Sequence, residues 1–513
     1  MLEIKDLTIL VNEKEIIKDL SFVMNNNDKI AIIGEEGNGK STLIMSILGI
    51  ASYANISGII DTKNNTIGYL SQFINKINLE KSVYNYLFKD ENDYYNKIND
   101  LYKYLKELNL SEDIIEKEKL YYLSGGEKVK LQLLKLLLDQ VDILILDEPT
   151  NDLDIDTIKW LENFILKTNK PLLYVSHDET LLSNTANAIL HLELTKKKQV
   201  PKWTFKRMNY DTYVSERINY LDHTTMKANN ERANFKKQQE KLNQIMNKVE
   251  HQQNTISRSD PHGAKMLKRK MKSIKSQERR MNGSELTEIP DYEESINFFF
   301  EDACIPSKRK ILELVDYDLI VGMKKLSKNI NLNVVGNQHI VIIGKNGCGK
   351  TSLLNIIYNQ IKDKSNLKVG YMPQNYDTML ENFNSALDFL CKDGDKDVIS
   401  KTRSFLGNMN FTSEEMLCSI EELSGGSKAK LILLKLVIDN CNVLILDEPT
   451  RNVSPLSNPI IRKTLKEFNG PIISVSHDRK FISHVCDKVY ELKPEGLFDV
   501  TNDYEDNYNK KRL

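Results

Sequence analysis

Two stretches of this 513-residue chain have the residue types and spacing needed to grip a polyphosphate. The first is Gly34-Glu35-Glu36-Gly37-Asn38-Gly39-Lys40-Ser41; the second is Gly344-Lys345-Asn346-Gly347-Cys348-Gly349-Lys350-Thr351. Both fit G-x-x-x-x-G-K-[ST]. In that pattern the glycines let backbone N–H groups wrap around phosphate oxygens, the lysine neutralises the outer phosphates and the hydroxyl ligates Mg²⁺. Thr42 and Ser352, next along the chain, join the phosphate-facing set. One such match is weakly specific, but here each is followed by the same further motifs in the same order.

After the first loop come Gln72, Leu123-Ser124-Gly125-Gly126-Glu127, Ile143-Leu144-Ile145-Leu146-Asp147-Glu148-Pro149, Asn151-Asp152-Leu153-Asp154 and Ser176-His177-Asp178. After the second come Gln374, Leu423-Ser424-Gly425-Gly426-Ser427, Val443-Leu444-Ile445-Leu446-Asp447-Glu448-Pro449, Arg451-Asn452-Val453-Ser454-Pro455 and Ser476-His477-Asp478. The offset between copies is 310 at the lysines, 302 at the glutamines and 300 at the acidic and histidine motifs. The second copy has therefore lost eight residues before its glutamine and two more before the Ser-Gly-Gly motif. Chance does not keep such a register, and the chain is a duplication.

Phosphoryl transfer needs mainly positioning and neutralisation of charge, and each copy holds the parts. Asp147 and Asp447 end apolar strands and are placed to reach Mg²⁺ together with Ser41, Thr351, Gln72 and Gln374. Glu148 and Glu448 are placed to polarise the attacking water, and His177 and His477 to contact the terminal phosphate. Ser124-Gly125-Gly126 and Ser424-Gly425-Gly426 each open a helix, whose N-terminal N–H groups make a second anion site. The implied ligands are ATP and Mg²⁺, and the implied enzyme is a Mg²⁺-dependent ATPase.

The elements that must position these groups are buried strands followed by helices, so the fold expected is α/β, with two tandem P-loop domains. The domains are placed at 1–195 and 295–513, with a basic linker at 196–294. Residues 196–290 carry 22 Lys and Arg against 10 Asp and Glu, although the whole chain is nearly neutral at −1. Such a block between acidic domains points to a polyanion partner, with a merely solvated helical face as the alternative. Phe235, Leu242, Ile245, Val249 and Ile256 recur as one stripe of an amphipathic helix. Asp260-Pro261-His262-Gly263 then predicts a break, followed by a second helix with Leu267, Met271 and Ile274 as its stripe. The two form a helical hairpin projecting on the order of 50 Å, with its tip near 255–263. Ile256, Arg258 and His262 stand at that tip, and Lys268, Arg269, Lys272 and Arg279 are placed to meet RNA phosphates.

Composition excludes several classes. Hydrophobic content of 40% and charged content of 28% are ordinary for a soluble globular protein. The start Met1-Leu2-Glu3-Ile4-Lys5 does not read as a signal peptide, and no apolar run approaches the ~20 residues of a membrane helix. The six cysteines form no C-x-x-C pair and read as reduced thiols, so the expected location is the cytoplasm.

The pattern resembles the ATP-binding cassette superfamily, and the tandem layout with a basic helical linker resembles the ABC-F family of ribosome-acting ATPases. The resemblance covers essentially the whole chain. It implies cassettes that face each other head to tail within one monomer, each ATP lying between one phosphate loop and the other cassette's Ser-Gly-Gly. One site would join Lys40, Ser41, Gln72, Asp147, Glu148 and His177 to Ser424, Gly425 and Gly426; the other would join Lys350, Thr351, Gln374, Asp447, Glu448 and His477 to Ser124, Gly125 and Gly126. The run Phe205–Asp211 after the first copy is echoed by Phe498–Tyr504 after the second.

Departures from the family pattern narrow the reading. The first D-loop keeps Asn-Asp-Leu-Asp, whereas the second reads Thr450-Arg451-Asn452-Val453-Ser454-Pro455-Leu456-Ser457, which resembles the Vga/Lsa-type antibiotic-resistance branch. With Ser454 where Asp154 stands in the first copy, the two sites are expected to hydrolyse ATP at different rates. The adenine-stacking aromatic expected near Val11 and Val321 is absent from both copies. By resemblance the partner is the bacterial ribosome, through large-subunit rRNA and P-site tRNA at the tRNA exit site, with no membrane partner. The function implied is protection of the peptidyl-transferase centre against lincosamides, pleuromutilins and streptogramin A. A housekeeping ABC-F factor for stalled ribosomes is the alternative, and the ATPase subunit of a membrane exporter stands behind both.

Overall fold

The computed structural model describes residues 2–255, 261–282, 287, 300, 305, 306, 308–391 and 396–504. They form two compact units. One unit holds both repeats, Met1–Tyr210 and Glu293–Leu513; the other is a helical arm, Asp211–Tyr292.

In the first repeat the apolar runs pair as a six-stranded sheet. Its order is Ile67–Leu70, Ile143–Asp147, Leu172–Val175, Lys29–Ile33, Ala188–Leu194 and Val200–Lys206. The first five are parallel and the last is antiparallel. Every residue of Lys29–Ile33, Ile143–Asp147 and Leu172–Val175 is buried, which is why these strands read as continuous apolar runs rather than alternating ones. Leu2–Val11 adds an antiparallel sheet between Lys14–Met24 and Ala54–Asp61. The sheets share one core, built from Leu2, Ile4, Ile9, Phe22, Ile32, Leu43, Ile145 and Leu190 among others.

The second repeat has the same six-strand order: Val369–Met372, Val443–Asp447, Ile472–Val475, His339–Ile343, Lys488–Lys493 and Gly496–Asp499. Lys310–Val321 pairs with Lys324–Val335 alone, without a third strand among the described residues. The eight residues missing before Gln374 account for that difference. In the first repeat Ala54–Asp61 fills the link between the phosphate-loop helix and the next parallel strand, while in the second that link spans only residues 362–368.

Three expectations about the arm are corrected. The linker expected from residue 196 starts later, because Val200–Lys206 pairs with Ala188–Leu194 and closes the first repeat's sheet. The break expected at Asp260–Gly263 does not extend past Asp260, because the second arm helix begins at Pro261 and carries His262 and Gly263 within it; Asp260 lies outside the described residues. Proline suits the first helical position, where its missing N–H is not needed. The first arm helix is Tyr210–Thr255 and the second Pro261–Asn282. Leu242, Val249 and Ile274 are buried in their seam, flanked by Met246, Leu267, Met271 and Met281. Ile245, assigned to the stripe, is 46% exposed, and Met246 takes its place. The Thr287 N–H donates to Glu231 Oε2 at 2.9 Å, so the chain returns beside the first helix. Ile256 and Arg258 lie outside the described residues; His262 is exposed, as are Lys268, Arg269, Lys272 and Arg279.

Candidate active sites between the two halves

Each phosphate loop connects the end of a central buried strand, Lys29–Ile33 or His339–Ile343, to the start of a helix, Lys40–Ile47 or Lys350–Ile361. Gly39 (φ 84°) and Gly349 (φ 100°) make the left-handed turn into the helix. A Cβ on Gly39 would stand 2.4 Å from Ile16 Cγ2, so glycine is required there on both counts. Lys40 Nζ donates to the carbonyls of Gly34 (2.8 Å) and Glu35 (3.0 Å), and Lys350 Nζ to those of Gly344 (2.8 Å) and Lys345 (3.1 Å). Both ammonium groups thus lie over their own loops, ready to exchange carbonyl partners for phosphate. Asn38 is buried and donates to Leu192 O at 2.9 Å, so its side chain ties the loop to the sheet. At the matching position Cys348 is half-buried, and burial pushes its thiol up.

Asp147 and Asp447 end their strands, and the glutamate after each takes a left-handed backbone, φ 49° at Glu148 and 53° at Glu448. Their N–H groups donate across the sheet to Val175 O (3.1 Å) and Val475 O (2.9 Å). The histidines follow these neighbouring strands, which brings His177 Nε2 to 3.0 Å from Glu148 Oε1. The other ring nitrogen, Nδ1, is 2.8 Å from the carbonyl of Val453 in the second repeat's D-loop. In the second repeat His477 Nε2 is 3.8 Å from Glu448 Oε1, and the His477 backbone N–H donates to Glu448 Oε2 at 3.2 Å. Burial works to raise the Glu148 carboxyl, but the neighbouring His177 and Lys40 hold it below its ordinary value. Burial and Asp447 push Glu448 up to about 8, and burial pushes His477 down to about 3. The two glutamates are thus shifted in opposite directions.

The Ser41 and Thr351 hydroxyls lie against Asp147 and Asp447 and counter part of the rise that burial imposes on each carboxyl. A carboxylate beside a hydroxyl is a hard oxygen set, and it fits Mg²⁺ completed by phosphate and water. Tyr69, which the motif pattern did not single out, donates its hydroxyl to Asp147 Oδ2 at 3.3 Å. Gln72 is exposed on the loop after Ile67–Leu70, whereas Gln374 lines the cavity described next.

A cavity of about 470 Å³ lies between the halves at the second phosphate loop. Gly125, Asp152 and Leu153 of the first half line it with Lys350, Thr351, Ser352, Gln374, Asp447, Glu448 and His477 of the second. Ser124 caps the helix Gly125–Leu138 in a reciprocal box with Glu127. The helix N-terminus holding Gly125 therefore shares this cavity with Lys350. Asp154 caps the helix Ile155–Lys167 through Thr157, and Asp152 pairs with Arg451 at 3.0 Å. Ser454, at the position matching Asp154, is buried and bonds the Leu456 N–H at 3.3 Å; the helix there starts later, at Asn458.

At the first phosphate loop the corresponding space is bridged by protein. Glu36 Oε2 accepts the Gly426 N–H at 2.5 Å, at the N-terminus of the helix Gly425–Ile438 that Ser424 caps. Glu35 Oε1 pairs with Lys430 of the same helix at 2.5 Å, both buried. The glutamates stand where the second loop has Lys345 and Asn346, so aligning the two loops could have flagged them. A carboxylate on the Gly426 N–H fills the anion site that this helix N-terminus offers. Glu36→Ala is therefore expected to tighten binding of a non-hydrolysable ATP analogue at the Lys40 site by about tenfold, since a charge-assisted hydrogen bond contributes roughly 1.5 kcal/mol or more. Two-site calorimetric titration measures this, and unchanged affinity at both sites would deny Glu36 a competing role.

A model of the ABC transporter family matches residues 17–151 and 327–451. The chain is 28% identical to ATP-binding protein Uup of Buchnera aphidicola, over 100% of this chain and 85% of that protein. It is 26% identical to ABC transporter F family member 5 of Arabidopsis thaliana, over 95% of this chain and 74% of that protein. Among solved structures, the archaeal ribosome recycling factor aABCE1, crystallised with a ribosomal stalk protein, superposes with a TM-score of 0.59. That match has 14% identity and covers 98% of this chain and 92% of the other. At this identity the structural likeness speaks for the fold.

Proposed function

We propose that this chain, which belongs to the ABC transporter family as an ABC-F ATP-binding protein with two cassettes, couples its ATPase activity to work on the ribosome. The observation that carries this reading is the helix Pro261–Asn282. Lys265, Lys268, Arg269, Lys270, Lys272, Lys275, Arg279 and Arg280 are all exposed on it, with only Glu278 to offset them. Arg269, Lys272 and Arg280 line a surface groove with Ser273, Ser276 and Gln277, a donor-rich face suited to a phosphate backbone. The archaeal protein that shares its fold is a ribosome recycling factor.

In this reading Lys40 and Lys350 leave their loop carbonyls to neutralise ATP phosphates. Ser41 with Asp147, and Thr351 with Asp447, would hold Mg²⁺, which supplies charge neutralisation of the phosphates when bound. Glu148 and Glu448 orient the attacking water, and His177 and His477 steady them. The Ser-Gly-Gly N–H groups of the opposite cassette receive the terminal phosphate, so ATP draws the halves together and hydrolysis releases them.

The finer proposal is protection of the peptidyl-transferase centre against lincosamides, pleuromutilins and streptogramin A from the tRNA exit site, supported by the Thr450–Ser457 form of the second D-loop. A translation factor acting on stalled ribosomes would use the same arm and the same closure. No helix among the described residues is long and apolar enough to cross a membrane. An exporter subunit would need a separate membrane partner and gives the cationic arm no task. Expression in a susceptible bacterium is expected to raise the inhibitory concentration of a lincosamide and a pleuromutilin several-fold. Replacing residues 255–263 is expected to abolish that rise. Unchanged susceptibility to every peptidyl-transferase drug, with ribosome binding retained, would leave the stalled-ribosome reading.

A further inference from the structure

Two pairs of buried, oppositely charged residues cross between the cassettes. Arg479 Nη2 donates to Glu162 Oε1 and lies 3.4 Å from Asp178 Oδ2. Arg462 Nη2 donates to Glu179 Oε2 at 3.0 Å, Nη1 reaches the other oxygen, and Asp478 lies 3.8 Å away. Lys480 adds a contact to Glu179 at 3.3 Å. All four principal residues are at most 5% exposed. Glu162 and Glu179 belong to the helices Ile155–Lys167 and Glu179–Thr185 of the first cassette; Arg462 and Arg479 belong to Asn458–Lys466 and Arg479–Val485 of the second.

These are not four unrelated positions. Residue 162 matches 462, and 179 matches 479, at the 300-residue offset that relates the acidic and histidine motifs. The duplication has therefore placed glutamate at both positions in one cassette and arginine at both in the other, while Asp178 and Asp478 are the same. Each glutamate meets the arginine of the non-equivalent position, as the approximate twofold relation of the halves requires. Two first cassettes facing each other in this way would set Glu162 against Glu179 and Asp178. Two second cassettes would set Arg462 against Arg479. Asp478 offsets only part of that arginine excess, and burying like charges with too few partners lowers association on the order of a hundredfold or more.

We infer that this patch is a charge code by which the first cassette's face accepts only a second-cassette face and rejects its own kind. The partner it fits is the opposite cassette, and the patch steers each chain away from like-with-like assembly with other copies. Such a code matters because the Ser-Gly-Gly motifs and phosphate loops of the two halves are alike enough for mispaired sites to form. Pairing is decided away from the phosphate loops, by four side chains that do not line the cavity at Lys350.

The test uses full-length chains and needs no ribosome, so its outcome is separable from the proposed function. One variant carries Glu162→Arg and Glu179→Arg; the other carries Arg462→Glu and Arg479→Glu. Each alone is expected to keep its helix content by circular dichroism and to lose ATPase turnover at least tenfold. Mixed in equal amounts they should form a complex of two chains by light scattering and recover turnover. Wild-type ATPase in either variant alone, or folded variants that neither associate nor recover on mixing, would overturn the code. If the double variants do not fold, Glu162→Arg is compared with Glu162→Arg/Arg479→Glu/Asp178→Asn. The triple variant restores the charge match and keeps a capping side chain at 178. It is expected to regain most of the melting temperature lost in the single variant, and no regain would equally overturn the proposal.

Discussion

Replacing Glu148 and Glu448 together with Gln is expected to slow ATP hydrolysis by about a hundred- to ten-thousandfold while ATP still binds, the range set by loss of a positioned general base. The substitution keeps size and removes charge only. The lysines, the Ser41 and Thr351 hydroxyls and the aspartates stay in place, so binding has no reason to fail. Single-turnover hydrolysis and equilibrium binding of a fluorescent ATP analogue separate the two effects. The single variants should differ from each other. Glu148 is held below its ordinary value beside His177, whose Nδ1 lies 2.8 Å from the carbonyl of Val453, whereas Glu448 is raised to about 8 and its histidine stands farther off. Wild-type turnover in the double variant would remove both glutamates from the mechanism.

Neutralising Lys268, Arg269, Lys272 and Arg279 to Gln is expected to flatten the salt dependence of ribosome binding. Each phosphate contact contributes roughly 0.7 to 0.9 to the slope of log affinity against log salt. Four contacts therefore amount to a slope near 3, or on the order of a hundredfold in affinity between 50 and 200 mM salt. All four side chains are exposed, so the fold does not depend on their charge. Co-sedimentation across a salt series, with ATP binding as the control, gives the slope. An unchanged slope would return this helix to an ordinary solvated face.

The sequence made the paired sites legible because phosphate chemistry allows few alternatives at each step, and two copies in register exclude coincidence. The parallel sheets were legible for a related reason: strands buried on both faces leave uninterrupted apolar runs such as Ile143–Leu146. Less was visible where packing rather than pattern decides. Ile245 fits a helical stripe as well as Met246 does, and only the seam with the second arm helix separates them. Val200–Lys206 looked like basic linker because lysines on an edge strand, Lys202 exposed and Lys206 half-buried, carry the same charge as free ones. The bridging by Glu35 and Glu36 was hidden differently. The phosphate-loop pattern treats both as variable positions, and their partners, Lys430 and Gly426, lie about 390 residues away along the chain.

The left-handed backbone at Glu148 and Glu448 has an evolutionary consequence. Glycine would adopt that geometry with less strain, on the order of 1 kcal/mol at each position, and would not bury a carboxyl group. A lineage selected only for a durable fold would drift toward glycine at both. The two glutamates are thus places where selection has kept a less comfortable residue, and chains that lose them while gaining thermal stability would mark descendants that have given up turnover.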